Sequence, residues 1–103
     1  MTTLRLCAAD DVRDGSAMAF DAEGTRICVA HIGAEWFAIG DVCSHADFAL
    51  SDGELWTDEC EIECPKHGAT FSLRTGVPQT LPATVAVPVF PIRIEGNDVM
   101  VDL

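Results

Sequence analysis

The sequence has no tyrosine and few basic residues: six Lys plus Arg stand against seventeen Asp plus Glu, a formal charge of −11. A field of this sign repels nucleic acid and anionic membrane surfaces, so we expect neither as a partner. It favours a basic docking surface on a protein partner. The plainer interpretation, that the acidity only keeps a small protein in solution, stays open at this stage.

The sequence also lacks any apolar run of bilayer length, and its first residues, MTTLRLCAADD, contain no apolar signal-peptide core. We therefore expect a cytoplasmic protein whose thiols stay reduced. The cysteine count is five, which is odd: Cys7, Cys28, Cys43, Cys60 and Cys64. An odd number without a secretion signal argues against a disulfide framework and favours metal binding or buried thiols.

Helical periodicity is absent too, since no segment of ten or more residues shows it. Alternating segments predict strands at about Ala17–Asp21, Arg26–His31 and Glu35–Ile39, and a short strand around Ile62. The C-terminal VFPIRIEGNDVMVDL predicts a hairpin, because Gly96 and Asn97 in its turn tolerate positive φ. Short strands with glycine-rich turns indicate an all-β sandwich or barrel, and 103 residues make a single domain, residues 1–103.

Two stretches interrupt the strand pattern. AADDVRDG predicts about one helical turn with Asp10 as its cap. The five prolines fall mainly between Pro78 and Pro91, which predicts an irregular loop at about residues 77–88.

The residues that carry chemistry are Cys43-x-His45 and, after 18 intervening residues, Cys64-x2-His67. A zinc finger brings two cysteines from one turn and two histidines from a helix, whereas here each loop supplies one of each. Tetrahedral zinc does not forbid this order. Two irons bridged by sulfides explain it better, with both cysteines on one iron and both histidines on the other.

The paired motif, the following HGATFSLRTG, the LPA at residues 81–83 and the C-terminal segment resemble the Rieske-type [2Fe–2S] ferredoxins of bacterial ring-hydroxylating dioxygenases. The stretch from Cys43 to Gly68 is also similar to Rieske ferredoxins encoded beside iron–sulfur cluster assembly (Suf) genes. The resemblance implies a small antiparallel β-sandwich with a cluster-binding subdomain formed by two loops, at about residues 41–50 and 62–72.

Carried over residue by residue, the resemblance implies that Cys43 and Cys64 bind the inner iron and that His45 and His67 bind the outer one. High-potential members carry a Ser and a Tyr that donate hydrogen bonds toward the sulfurs, where this sequence has Ala69 and Phe71. Such hydrogen bonds stabilise the reduced cluster. We therefore predict a potential near the low end of the Rieske range, about −150 mV.

The predicted function is that of a monomeric one-electron carrier with no catalytic residues. It would take electrons from a flavin-dependent NAD(P)H reductase and deliver them to a terminal oxygenase. Two alternatives remain: an accessory ferredoxin of iron–sulfur cluster assembly, and a structural zinc module in an interaction protein. Gene neighbourhood separates the first alternative from the carrier, and the colour of the protein excludes or supports the second.

The remaining histidine, cysteine and tryptophan residues, and one lysine, could also have functional roles and are interpreted as follows. We interpret His31 as structural, Cys7 and Cys28 as small buried hydrophobes, and Cys60 as a spectator thiol. Trp36 is predicted to lie in the core. Trp56 and Lys66 each have two interpretations, a contact with a partner or ordinary packing and solvation.

Two glycines and one further segment are predicted to shape the site. Gly53 is expected to make a turn, and Gly68 to permit a close backbone approach at the second loop. Leu81 and Pro82 are predicted to form a third loop that covers the cluster, with a plain surface turn as the alternative.

Overall fold

The computed structural model describes residues 3–42, 48–65, 68–80 and 85–103. These residues form nine strands: β1 Thr3–Ala8, β2 Ser16–Ala22, β3 Thr25–Ile32, β4 Glu35–Gly40, β5 Leu55–Trp56, β6 Glu61–Glu63, β7 Thr70–Ser72, β8 Ile92–Glu95 and β9 Asp98–Asp102. The helical segments among them are the 3-10 turns Ala9–Asp11 and Leu50–Asp52. The predicted all-β class is confirmed. No helix in this part of the chain is long and apolar enough to cross a membrane.

The strands make three antiparallel sheets of three strands each. We call β1-β9-β8 the terminal sheet, β2-β3-β4 the central sheet and β5-β6-β7 the distal sheet. The three predicted consecutive strands are confirmed as β2, β3 and β4, each one or two residues longer than expected. The distal sheet refines the prediction, because the subdomain expected to consist of two loops contains a small sheet of its own.

Two-residue turns join three of the hairpins, β2–β3, β3–β4 and β8–β9. In the β2–β3 turn both Glu23 and Gly24 have positive φ, at 50° and 84°, as the twist of a tight hairpin favours. The predicted C-terminal hairpin is present, and of the two residues in its turn only Gly96 has positive φ, at 64°. Glycine first in the turn is the requirement of the mirror-image type II turn, in which the second residue has negative φ.

The predicted turn after β1 is present, but its cap is not Asp10. The carboxylate of Asp11 accepts a hydrogen bond from the backbone N–H of Ala8 at 3.0 Å. The described parts of the predicted irregular loop, residues 77–80 and 85–88, contain an isolated bridge between Pro78 and Phe71 and no strand.

The central sheet is buried on both faces along the middle of β3 and along β4. On one face Ile27 and Val29 of β3 pack with Val99 and Val101 of β9. On the other face Cys28 and Ala30 pack with residues of the distal sheet and of the segment before it, including Leu50, Ile62 and Phe71. The molecule is therefore built in three layers, and the central sheet belongs to two apolar cores.

An arginine ties the outer layer to the central sheet. Arg74, just after β7, donates to both carboxylate oxygens of Glu35 at 2.8 and 3.0 Å, and its guanidinium lies 5.3 Å from the ring centre of Phe37. The hydrogen bonds from Arg74 hold the pKa of Glu35 below its usual value. Other arginines also pair within the molecule: Arg5 with Asp98, Arg26 with Asp41, and Arg93 with Glu95 and Asp102.

Candidate metal centre

Of the four predicted ligands, Cys64 is in the described part of the chain. Cys43, His45 and His67 lie outside the described residues, as do Lys66, Leu81 and Pro82. The described part of the site therefore consists of Cys64 and of the residues that flank two ligand-bearing segments, so called for their predicted ligands. The first lies between Val42 and Ala49 and contains Cys43 and His45, and the second spans residues 64–68 and contains Cys64 and His67.

Cys64 directly follows β6 and is fully buried. Its backbone N–H donates to the carbonyl of Ala69 at 2.7 Å, and the N–H of Gly68 donates back to the carbonyl of Cys64 at 3.1 Å. Gly68 adopts φ of +75°, which glycine reaches without strain. The β6–β7 hairpin thus brings Gly68, the residue after His67, back against Cys64.

Asp41 anchors the start of the first ligand-bearing segment, and its side chain is completely buried. One carboxylate oxygen accepts the N–H of Ser51 at 2.9 Å and the other accepts from Arg26 at 3.1 Å. The Asp41 carbonyl accepts the N–H of Leu50 at 2.6 Å. Next to it, Val42 and Ala49 form an antiparallel bridge. These bonds fix the two ends of the segment that contains Cys43 and His45.

The two ligand-bearing segments are anchored on the same piece of structure. Leu50, beyond the first segment, and Cys64, at the start of the second, are buried in one apolar cluster. Between them the backbone of Gly53 passes so close to β6 that a Cβ there would lie 1.6 Å from the carbonyl oxygen of Glu63. Gly53 thus ends the 3-10 turn, in line with the predicted turn, and also permits this close approach, whereas Gly68 provides the positive φ and a Cβ there would lie 3.7 Å from Oε2 of Glu63.

Ala69 and Phe71, which follow the second segment, are also fully buried, and their side chains offer no hydrogen-bond donor. The backbone carbonyl of Thr70, the residue between them, accepts a hydrogen bond from the N–H of Gln79 at 2.7 Å. The backbone N–H of Thr70 donates to the hydroxyl of Thr80 at 2.9 Å. Thr80 therefore ties the start of the predicted covering loop to β7. Sequence reasoning missed Asp41 and Thr80, since neither belongs to the Cys/His pattern.

The other cysteines lie away from these segments or take part only through packing. Cys7 and Cys28 are buried in strands, as predicted, and burial raises the pKa of both thiols. Cys60 is half-buried at φ of +59°, and burial raises its pKa as well, with Arg74 acting in the opposite sense. None of the described cysteines forms a disulfide.

His31 has contacts that support a structural role. Its Nδ1 lies 2.9 Å from the carbonyl oxygen of Val12 and its Nε2 lies 2.8 Å from that of Gly33. The ring stacks on Trp36, with centroids 3.9 Å apart. Trp36 itself is half-buried and packs against the core between the terminal and central sheets, in partial agreement with the prediction. Both ring nitrogens of His31 thus lie within hydrogen-bond distance of backbone carbonyls, and His45 and His67 stay the predicted histidine ligands.

Comparison with known proteins decides the family. The sequence model of the Rieske [2Fe-2S] domain matches residues 2–91. The chain belongs to the Rieske [2Fe-2S] domain family. Membership implies one Rieske-type [2Fe–2S] cluster, as predicted.

Similar proteins are ferredoxins. The ferredoxin component of biphenyl 2,3-dioxygenase from Rhodococcus jostii (strain RHA1) is 42% identical over 103 residues, which cover all of this chain and 94% of that protein. The ferredoxin of carbazole 1,9a-dioxygenase from Nocardioides aromaticivorans IC177 superposes with a TM-score of 0.94 at 34% identity, covering 98% of this chain and 97% of that one. A third match comes from a complex of reduced oxygenase and oxidized ferredoxin in carbazole 1,9a-dioxygenase, with a TM-score of 0.88, 35% identity and coverage of 96% and 91%. The prediction of a Rieske-type ferredoxin, an electron-transfer protein, is confirmed.

The described residues fit such a cluster. A Rieske centre needs thiolate ligands on one iron and imidazole ligands on the other. Cys64 offers a buried thiol that is not in a disulfide, at a point where the backbone turns and the surrounding side chains are apolar. The surroundings of Cys64, the predicted ligand among the described residues, are therefore compatible with such a cluster.

Proposed function

We propose that this ferredoxin carries single electrons from a flavin-dependent NAD(P)H reductase to the terminal oxygenase of a ring-hydroxylating dioxygenase. The relatives support this role, because the Rhodococcus protein is the ferredoxin component of a dioxygenase and a carbazole dioxygenase ferredoxin forms a complex with its oxygenase. The chain itself catalyses no reaction on the organic substrate.

In this proposal Cys43 and Cys64 hold one iron, and His45 and His67 hold the other. The bound cluster supplies the chemistry, which is reversible uptake of one electron. The observation that carries the proposal is the buried Cys64 thiol on the backbone turn closed by Gly68, beside the anchored ends of the first segment. Asp41, Leu50 and Ile62 hold that arrangement without contributing ligands.

We propose further that the potential lies near the low end of the Rieske range, about −150 mV. Ala69 and Phe71 support this value, because both are buried beside Cys64 and neither side chain can donate a hydrogen bond. A cytoplasmic location is consistent with the free thiols of the described cysteines, since that compartment keeps thiols reduced.

A pair of cysteine variants tests the site. Cys64→Ala should abolish the cluster and destabilise the fold, because metal binding is coupled to folding. Cys60→Ala is the matched control, four residues earlier in the sequence, and should retain full iron and acid-labile sulfide content. Both variants are compared with the parent protein by visible absorption and by metal analysis.

The parent protein provides a readout that does not depend on whether the variant folds. After reduction with dithionite, its electron-spin resonance spectrum should show the low average g value of mixed His/Cys ligation. An all-cysteine type of spectrum would contradict the assignment of His45 and His67. An iron–sulfur spectrum retained in Cys64→Ala would contradict the assignment of Cys64, and colourless protein with stoichiometric zinc would contradict the whole proposal.

A further inference from the structure

The side chain of Glu63 projects from β6 beside the second ligand-bearing segment. Along this strand the side chains alternate: Ile62 and Cys64 are fully buried, whereas Glu61 and Glu63 are partly exposed. Glu63 is therefore the residue before the proposed ligand Cys64, but its side chain lies on the opposite face of the strand.

Two contacts fix the position of this carboxylate. Its Oε1 accepts a hydrogen bond from the indole N–H of Trp56 on the neighbouring strand β5, at 3.2 Å. Its Oε2 is directed toward Gly68: a Cβ atom added to Gly68 would lie 3.7 Å from this oxygen. Because Gly68 has no side chain and its N–H donates to the Cys64 carbonyl, the carboxylate lies against the backbone of the turn that this hydrogen bond closes.

Within the described residues no cation contacts Glu63. The salt bridges there join Arg5, Arg26, Arg74 and Arg93 to other carboxylates. The nearest charged residue on the same face of β6 is Glu61, which has the same sign. The negative charge of Glu63 is thus not neutralised by any of these arginines.

We propose that Glu63 is a determinant of the reduction potential and that Trp56 is its positioning residue. The inference rests on the proposed ligation by Cys64 and His67. Reduction adds one electron to the site, and a fixed negative charge close by raises the energy of the reduced form relative to the oxidised form. Trp56 matters because it holds the carboxylate toward Gly68 instead of leaving it free to turn into solvent.

The first test compares Glu63→Gln with Glu61→Gln in mediated redox titrations at neutral pH. Glutamine retains an oxygen that accepts the Trp56 hydrogen bond, so only the charge is removed. Glu61→Gln removes the same charge from the same face of the same strand, two residues farther from Cys64. Glu63→Gln should raise the potential by an amount equivalent to roughly three- to tenfold in the reduction equilibrium, tenfold being about 59 mV for one electron.

The shift for Glu61→Gln should be smaller, and the difference between Glu63→Gln and the parent protein should shrink as salt is added, because salt screens a partly exposed charge. Equal shifts in the two variants would reduce the effect to overall charge and overturn the proposal. An unchanged potential in Glu63→Gln would overturn it as well.

The second test addresses Trp56. Trp56→Phe removes the indole N–H and should raise the potential by part of the Glu63→Gln shift, but it should have no further effect in a Glu63→Gln background. Trp36→Phe is the aromatic control on the central sheet and should leave the potential unchanged. A Trp56→Phe shift of the same size in both backgrounds would show that Trp56 does not act through Glu63.

The failure of this inference and the failure of the proposed function give different results. Every variant is first compared with the parent protein by absorption and electron-spin resonance. A parent protein without a Rieske spectrum contradicts the proposed ligands, whereas intact clusters with unchanged potentials contradict the role of Glu63 alone.

Discussion

Ala69 and Phe71 place a wholly apolar pair beside Cys64, with the carbonyl of Ala69 bonded to the Cys64 N–H. Supplying hydroxyl donors at these positions, as Ala69→Ser with Phe71→Tyr, should raise the reduction potential, because hydrogen bonds to the sulfurs stabilise the reduced cluster. Redox titration measures the effect. A hydroxyl that finds no partner in this buried place would also cost about 1–3 kcal/mol of stability.

Phe37→Tyr is the matched control for this double variant. Phe37 belongs to the same apolar cluster, but its ring lies under the Arg74 guanidinium. The same chemical change there should leave the potential where it was. An unchanged or lower potential in the double variant would refute the hydrogen-bond explanation for the low potential that we propose.

At the level of single residues, the sequence indicates candidate ligands more readily than it indicates the residues that support them. Cys64 stands out because its neighbours complete a Cys/His pattern. Asp41 does not, because it acts through Arg26 and Ser51, which are 15 and 10 residues away in the chain. A carboxylate that is buried only after folding looks in the sequence like any other acidic loop residue. Glu63 was hidden as well, because the indole of Trp56 that fixes its carboxylate lies on the neighbouring strand, seven residues earlier in the chain.

The contact between Gly53 and β6 allows a test at the level of secondary-structure elements. Gly53 has an ordinary φ of −84°, so the penalty of Gly53→Ala comes from collision with the Glu63 carbonyl and not from backbone conformation. We expect a loss of about 2–4 kcal/mol in the free energy of unfolding, measured with urea, together with reduced cluster content. Gly96→Ala is the control.

Gly96 has positive φ and open space around it, so Gly96→Ala introduces backbone strain without collision. It should cost about 1–2 kcal/mol and leave the cluster content unchanged. A Gly53→Ala protein that is more stable than Gly96→Ala, with full cluster content, would contradict the proposed packing of the two ligand-bearing segments.

Strand prediction succeeded where strands are long. β2, β3 and β4 span six to eight residues each, enough for alternation and flanking turns to be recognised. In the distal sheet, β5 has two residues and β7 has three, and their pairing is determined by tertiary contacts. β6 was recognisable only because Ile62 stands between two glutamates. The distal sheet as a whole could therefore not be predicted.

For the molecule as a whole, the charge of −11 should govern encounters with electron-transfer partners. Cytochrome c, a basic one-electron acceptor, should be reduced by this ferredoxin at a rate that falls as salt is added, because screening weakens the attraction. Stopped-flow absorption measures the rate. Dithionite, an anionic reductant, provides the opposite control, and its reaction should accelerate with salt. A cytochrome c rate that rises with salt would contradict electrostatic steering.

Family and fold could be predicted at this scale, but the partners could not. The paired motif and the segments after it cover most of the chain, and the match of residues 2–91 confirms the family. Nothing in those residues encodes which reductase or oxygenase docks, because the same cluster serves unrelated pathways. The cluster-assembly alternative stays a prediction for the same reason.

The central sheet has a consequence for how such a protein can change during evolution. Along β3, Ile27 and Val29 serve one core while Cys28 and Ala30 serve the other, and all four are fully buried. A larger residue on either face cannot be accommodated by moving the strand toward solvent, because both faces pack against an apolar core. Substitutions on this strand are therefore tolerated mainly when a residue of a facing sheet changes with them. The distal sheet and the terminal sheet, which pack on opposite faces of this strand, must in this way diverge together.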